Sequence, residues 1–251
     1  MLRYSHNMLS VVIPAYNEEE LLPRLLDSLR GQTYRDFEVV VADANSTDRT
    51  RAIAASYGCR AVEGGLPAVG RNRGAAAATG DILLFLDADV VLPHPTFLED
   101  MLREFATRDL DIATNFIQAL SDDDLDRFFY GFYNSYVFAT QKFFPHAHGF
   151  CILARKSLHD AIGGFDQEVK LAEDHDYAQR AARVGRFGVL RRTRIPVSTR
   201  RFVRDGHFAT AAKYILCELH MLTLGSVKSD IFRYRFGYSK ETARGGRGRY
   251  G

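Results

Sequence analysis

Cysteine is scarce in this 251-residue chain, and the three present, Cys59, Cys151 and Cys217, are odd in number, widely spaced and without a CxxC pair. That argues against a disulfide framework and against a thiolate metal site, and leaves them as small buried hydrophobes. Long apolar runs are missing as well. The longest, Ile82 to Leu86 and the run around Val11, fall far short of the ~20 residues that a bilayer span requires. Met1 to Ser10 mixes Arg3, His6 and Asn7 with no apolar stretch of the signal-peptide kind, so a cytoplasmic address is expected. There is no internal repeat and no low-complexity linker, apart from a Gly- and Arg-rich tail from Ala243 to Gly251. Net charge is small, +2, but between Arg180 and Arg204 there are nine arginines and no acid. Such a basic stretch suits the phosphates of a small ligand, and no nucleic-acid partner is expected.

What is present is a hydrophobic content of 46%, enough for a full core. Its pattern alternates. A β-branched run, Leu9 to Pro14, is followed by leucines at 21, 22, 25, 26 and 29 at helical spacing, ending at Gly31. Glu18, Glu19 and Glu20 are expected in that helix's first turn, where the dipole favours acids. A second unit reads as a strand from Phe37 to Ala42, caps at Ser46 and Thr47, a helix from Thr50 to Tyr57 and a stop at Gly58. A short strand near Arg60 to Glu63, a helix from Val69 to Thr79 and a strand from Ile82 to Leu86, apolar on both faces, come next. Thr96 and Glu99 form a candidate capping box for a helix running to about Thr107, and Asp111 to Ala119 is the next strand candidate. Strands alternating with helices through short loops imply βαβ units and a doubly wound, mostly parallel sheet flanked by helices. Ligands of such sheets bind beyond the carboxyl ends of the strands.

One feature of that edge is chemically specific. Asp87-Ala88-Asp89 directly follows the apolar run ending at Leu86. Two ionised acids at the margin of a core need a cation or strong hydrogen-bond donors, and hard oxygen ligands suit Mg²⁺ or Mn²⁺ bridging to substrate phosphates.

Further along the chain stand Val12-Ile13-Pro14-Ala15-Tyr16-Asn17-Glu18, Asp43-Ala44-Asn45-Ser46-Thr47-Asp48, Gly70-Arg71-Asn72-Arg73-Gly74, Asp87-Ala88-Asp89 and Gly163-Gly164-Phe165-Asp166, the last followed by Glu173-Asp174. In this order, over roughly Leu9 to Arg180, they resemble the family 2 glycosyltransferases of the GT-A fold. The resemblance implies an α/β, GT-A, Rossmann-like catalytic domain over residues 1–206, with a helical, basic C-terminal extension over 207–251. It implies transfer of a sugar, with inversion, from a UDP- or GDP-sugar to a hydroxyl acceptor, lipid-linked or other, with Mg²⁺ or Mn²⁺ as cofactor.

Each implied role has its chemistry. Pro14, Ala15, Tyr16, Glu18 and Asp43 would hold the nucleoside, since an aromatic stacks on a base and a carboxylate accepts its N–H. The motif's usual second acid and glycine are Ala44 and Asn45 here, which leaves the base and sugar open. Arg71 would meet phosphate or sugar oxygens at a helix start, and Arg73 reads as a solvated helix residue. Asp87, Ala88 and Asp89 would face the diphosphate, with Asp87 and Asp89 as metal ligands and His207 as a further ligand; Arg200 and Arg201 would share the phosphate charge. Asp174, with Glu173 beside it, would be the general base acting on the acceptor hydroxyl. First-turn acids are also ordinary dipole partners, and His146 and His148 fit an acceptor-side or a structural role equally.

Two segments stay outside this scheme. From Phe128 to Phe144, nine of seventeen residues are Phe or Tyr, too many for one helix face. His207 to Leu224 has Phe208, Ala211, Ala212, Ile215, Leu219 and Leu222 at helical spacing, with Lys228, Arg233, Arg235 and Lys240 after it. Peripheral membrane contact, docking on the catalytic domain and an oligomer interface all fit that pattern. Two rival functions are a sugar-nucleotide nucleotidyltransferase, which calls for a Gly-rich loop after the first strand, and a non-catalytic binding protein, which has no use for three clustered acids.

Overall fold

A computed structural model describes residues 8–169, 171–197, 199 and 206–228. Seven strands form one sheet in the order β3-β2-β1-β4-β6-β5-β7, with β1 Leu9–Ala15, β2 Phe37–Asp43, β3 Arg60–Glu63, β4 Ile82–Leu86, β5 Ile112–Ala119, β6 Cys151–Arg155 and β7 Phe187–Val197. All pairings are parallel except those of β6, which runs antiparallel to both β4 and β5. β1 and β2 are in register from Leu9↔Phe37 to Ala15↔Asp43, so their carboxyl ends finish level. Between β5 and β7 the register shifts after Asn115, and the carboxylate of Glu104 accepts the displaced Arg191 and Arg192 amides at 2.9 to 3.0 Å.

The strands read as continuous apolar runs because helices cover both faces. On one face Val11, Ile13, Leu84 and Leu86 pack with α1 (Leu22–Arg30) and α4 (Phe97–Thr107). On the other, Val12, Leu83 and Phe85 meet α3 (Pro67–Ala77), α6 (Lys156–Ala161) and α7 (Glu173–Ala182). Leu22, Leu25, Leu26 and Leu29 of α1 are all buried, each contributing on the order of 2 kcal/mol. Gly74 lets α3 lie close on β1, since a Cβ there would sit 2.3 Å from Val12 Cγ1. The remaining helices are α2 (Thr50–Ser56), α5 (Asp124–Thr140) and α8 (His207–Leu224).

Three local expectations are corrected. Glu18 to Glu20 precede α1 rather than forming its first turn, because the Glu18 carbonyl accepts the Leu21 and Leu22 amides and the helix proper begins at Leu22 with Pro23 in its first turn. Neither Ser46 nor Thr47 caps α2: its N-cap is Arg49, which makes no side-chain cap, Asp48 Oδ1 just before it accepts the Thr50 amide at 2.9 Å, and Ser46 Oγ accepts the Asn17 amide. The Thr96–Glu99 box does not form: Thr96 Oγ1 donates to Asp100 and Glu99 pairs with Arg103. Among the described residues no helix is long and apolar enough to cross a membrane.

Candidate active site

The carboxyl ends of β1, β2 and β4 lie on one edge of the sheet, as parallel pairing demands. Asp43 ends β2 with 2% exposure; its Oδ2 accepts the Ser46 amide at 3.2 Å, while buried Oδ1 has no hydrogen-bond partner. An orphaned carboxylate oxygen at a strand end is a waiting acceptor for an N–H. Tyr16, one residue past β1, is half exposed, with its ring available for stacking. Pro14 is partly buried, and its Cβ abuts the backbone of Gly70 in α3. Asn17, in the left-handed region at φ 55°, ties this loop to the next: its amide donates to Ser46 Oγ and its side-chain oxygen accepts from the Thr47 amide. Glu18 donates its amide to Thr50 Oγ1 at 2.7 Å, which fixes the same two loops together.

Beyond β4, Ala88 is buried, Asp87 is partly buried and Asp89 is exposed. Asp87 is held by Arg71. The Arg71 guanidinium is 2% exposed; its Nη2 lies 2.9 Å from Asp87 Oδ1 and 3.1 Å from the Gly149 carbonyl, and its Nη1 lies 2.8 Å from Glu173 Oε1. Burial works against its charge, but Asp87, Glu173 and Asp174 outweigh that and hold it firmly protonated. Burial pushes the Glu173 carboxyl up, opposed by the facing Arg71. One cation thereby joins α3, the end of β4 and the start of α7. The expected ligand-facing arginine is thus engaged within the protein, and Arg73 pairs at the surface with Glu63.

Asp174 is positioned from two sides: Oδ2 accepts the Gly149 amide at 2.6 Å and Oδ1 accepts the His175 amide at 2.9 Å. A Cβ at 149 would stand 2.9 Å from Arg71 Nη2 and 3.0 Å from Asp174 Oδ2, so any larger residue there displaces these two side chains. Asn72 explains the Gly163-Gly164-Phe165-Asp166 element. Its side chain donates to the Phe165 carbonyl and accepts the Phe165 amide, both at 2.8 Å, and Gly164 at φ 71° leaves it room. Phe165 then stacks on Tyr177 with 4.0 Å between centroids, and the Arg71 guanidinium sits 5.3 Å from the Phe165 ring.

Sequence reasoning missed Gly149 and the structural part of Asn72; a lone glycine or asparagine carries no signal until its neighbours in space are known. His148 is buried and its imidazole is pushed down to about 3, chiefly by burial, so it is a neutral packed group stacked on Phe150. His207 Nε2 lies 2.6 Å from Asp126 Oδ1 on α5. Arg200 and Arg201 lie outside the described residues.

Residues 10–163, well over half of the chain, match the family described as Glycosyl transferase family 2, and the chain belongs to that family. It is 39% identical over 107 residues to 4,4'-diaponeurosporenoate glycosyltransferase of Staphylococcus haemolyticus, covering 39% of this chain and 28% of the relative. Over 109 residues it is 42% identical to validoxylamine A glucosyltransferase of Streptomyces hygroscopicus subsp. limoneus, covering 39% and 24%. The matched stretch thus spans about a quarter of these relatives. Among solved structures, the mannosyltransferase PcManGT of Pyrobaculum calidifontis in complex with GDP-Man and Mn²⁺ superposes with a TM-score of 0.66 at 25% identity, covering 82% of this chain and 64% of that one. S. aureus TarS, residues 1–349 in complex with UDP, gives 0.63 at 22%, covering 76% and 60%. The seven-stranded sheet with its flanking helices is the GT-A fold of these neighbours.

Proposed function

We propose that the chain carries the donor-binding and catalytic machinery of an inverting, metal-dependent glycosyltransferase that uses a UDP- or GDP-sugar and a hydroxyl acceptor, with residues 1–206 as the catalytic part and 207–251 as an extension. The observation that carries this reading is Arg71. By gripping Asp87 and Glu173 together it sets the acids at the end of β4 beside the helix turn that bears Asp174.

In this reading Asp43 and Tyr16 receive the base, with Pro14, Ala15 and Glu18 shaping the loop around it. Asp87 and Asp89 offer only oxygen donors, which fits Mg²⁺ or Mn²⁺ better than softer ions. The ion supplies neutralisation of charge on the departing diphosphate. His207 would join it only by leaving Asp126, and Arg200 and Arg201 would share the phosphate charge. Asp174 takes the proton of the acceptor hydroxyl while that oxygen bonds to the anomeric carbon; the bond from that carbon to the diphosphate breaks, and its electron pair leaves with the nucleoside diphosphate. The Gly149 and His175 amides keep the carboxylate aimed throughout.

A second element concerns place. Phe128 and Phe132 on α5, Phe143 just after it, and Phe208, Ile215, Leu219 and Leu222 on α8, are all exposed. An apolar face of this kind suits the interface of a membrane on the cytoplasmic side, and with it a lipid-linked acceptor. The reaction is tested by nucleoside diphosphate release from a panel of nucleotide-sugars with Mn²⁺. Asp174→Asn should retain donor binding and lose turnover by at least ~100-fold, the scale of general-base catalysis. Unchanged turnover would reject the base, and pyrophosphate as the product would indicate a nucleotidyltransferase instead.

A further inference from the structure

Away from the aspartates, three segments distant in sequence bring a histidine pair and a glutamate together. His146 lies in the loop between α5 and β6, His175 in the first turn of α7, and Glu218 midway along α8. One ligating atom from each falls within 4.8 Å of the others. Glu218 reaches both histidines, with Oε2 2.8 Å from His146 Nε2 and Oε1 3.4 Å from His175 Nδ1. The two imidazole rings are 4.8 Å apart, edge to face. His146 is fully buried between Tyr136 and Phe144, and the side chains of His175 and Glu218 are largely so.

Hydrogen bonding alone leaves this cluster incomplete. His175 Nδ1 is a buried atom with no hydrogen-bond partner, although it lies within ion-pair distance of Glu218 Oε1. Buried polar atoms are ordinarily satisfied. A ring nitrogen aimed at a carboxylate without hydrogen-bond geometry is the arrangement that a shared cation resolves. Bonds of about 2.0–2.1 Å at tetrahedral angles place ligand atoms about 3.3 Å apart; each histidine lies 2.8 or 3.4 Å from one of the two Glu218 oxygens, and one atom from each residue falls within 4.8 Å of the others, so a small inward shift of these side chains seats the ion.

We propose that His146, His175 and Glu218 form a second metal site, for Zn²⁺, separate from the aspartate pair that faces the donor. The donor set decides the ion: two imidazoles and one carboxylate rank with the sites that take zinc, whereas the all-oxygen pair at Asp87 and Asp89 suits Mg²⁺ or Mn²⁺. Three protein ligands leave one position for water. The site staples α8 to α7 one residue after Asp174, so the C-terminal helix is fixed to the body where the acceptor is to be activated. Cys217 and Met221, one on either side of Glu218 along the helix, pack in the same seam with Phe144 and Leu171.

The test uses the untagged full chain, stripped of metal and titrated with Co²⁺ without nucleotide, reading the visible absorption of four-coordinate cobalt. One equivalent is expected to saturate the band and one equivalent of Zn²⁺ to abolish it. Glu218→Gln should weaken uptake by more than the ~10–100-fold typical of losing an outer hydrogen-bond partner, and Asp89→Ala should leave it intact. Absence of a one-equivalent band in the wild type overturns the proposal, as does a band undiminished in Glu218→Gln or lost in Asp89→Ala. The wild-type titration needs no variant, so a misfolded Glu218→Gln leaves the test standing. None of these outcomes depends on sugar transfer, and the zinc site fails or stands apart from the proposed reaction.

Discussion

α7 buries the apolar residues Tyr177, Ala178 and Ala181 together with Asp176, and leaves Ala182 partly exposed, whereas α8 buries Thr210, Cys217 and Met221 and turns Phe208, Ile215, Leu219 and Leu222 outward. Both helices carry an apolar stripe at helical spacing, yet only one uses it for the core. A stripe specifies that an amphipathic helix forms; which side faces inward is decided by what the body offers. At α7 the body offers Phe85 and Phe165, which accept an apolar face. At α8 it offers His146 and His175, which select the side bearing Glu218. The apolar side is exposed among the described residues.

That contrast is sharpened by breaking each region in turn. The largest effect is expected at Arg71, because Arg71→Met leaves Asp87 and Glu173 without their shared cation. A loss of about 3–5 kcal/mol in urea unfolding is expected, as for other broken buried pairs. A loss under 1 kcal/mol would mean that the α3–α7 junction holds by packing alone.

Next comes pH. The His159 imidazole is pushed down to about 4, mainly by burial against Phe85 and Phe165. Between pH 6.5 and 4 His159 binds a proton in the unfolded chain that it refuses in the folded one, so its contribution lowers stability as pH falls through that window, by up to roughly 3 kcal/mol, and levels off below it. His159→Gln should flatten that part of the curve, and an identical slope in the variant would remove His159 as its source.

Gly149→Ala is expected to be destabilising by about 1–3 kcal/mol, because its Cβ intrudes on Arg71 and Asp174. It should lower kcat more than KM if the displaced Asp174 is the base proposed above, since the nucleoside loops are untouched. The smallest effect belongs to α8: Ile215→Ser with Leu219→Ser should change stability by no more than ~0.5 kcal/mol, as for exposed positions. The same pair should abolish flotation with anionic liposomes. Strong destabilisation by these two serines would show the stripe to be buried in solution.

Much of the sheet was readable in advance, and for a physical reason. β3 and β4 fall on the expected residues, and β1, β2 and β5 within one residue of their expected ends, because strands covered on both faces must be apolar throughout and short loops force the punctuation. The carboxylates at strand ends stand out against such runs. What sequence reasoning missed was set by tertiary partners. Ser46 does not cap α2 because its hydroxyl is taken by the Asn17 amide, a contact across 29 residues, and the Thr50 amide goes to Asp48. Arg71 reads from sequence as a ligand contact because nothing local reveals the two acids, 16 and 102 residues away, that enclose it. The orientation of α8 depends on histidines some 40 to 70 residues earlier, which no periodicity could disclose.

The account rests on a diphosphate bound through a divalent ion at the end of β4. Titration calorimetry of UDP and of GDP, with and without Mn²⁺, against the wild type and Asp89→Ala addresses this directly. The expected result is Mn²⁺-dependent binding of at least one of the two nucleotides, weakened in the variant by ~100-fold or about 2.7 kcal/mol. Equal affinity in both proteins, or binding indifferent to Mn²⁺, would contradict it.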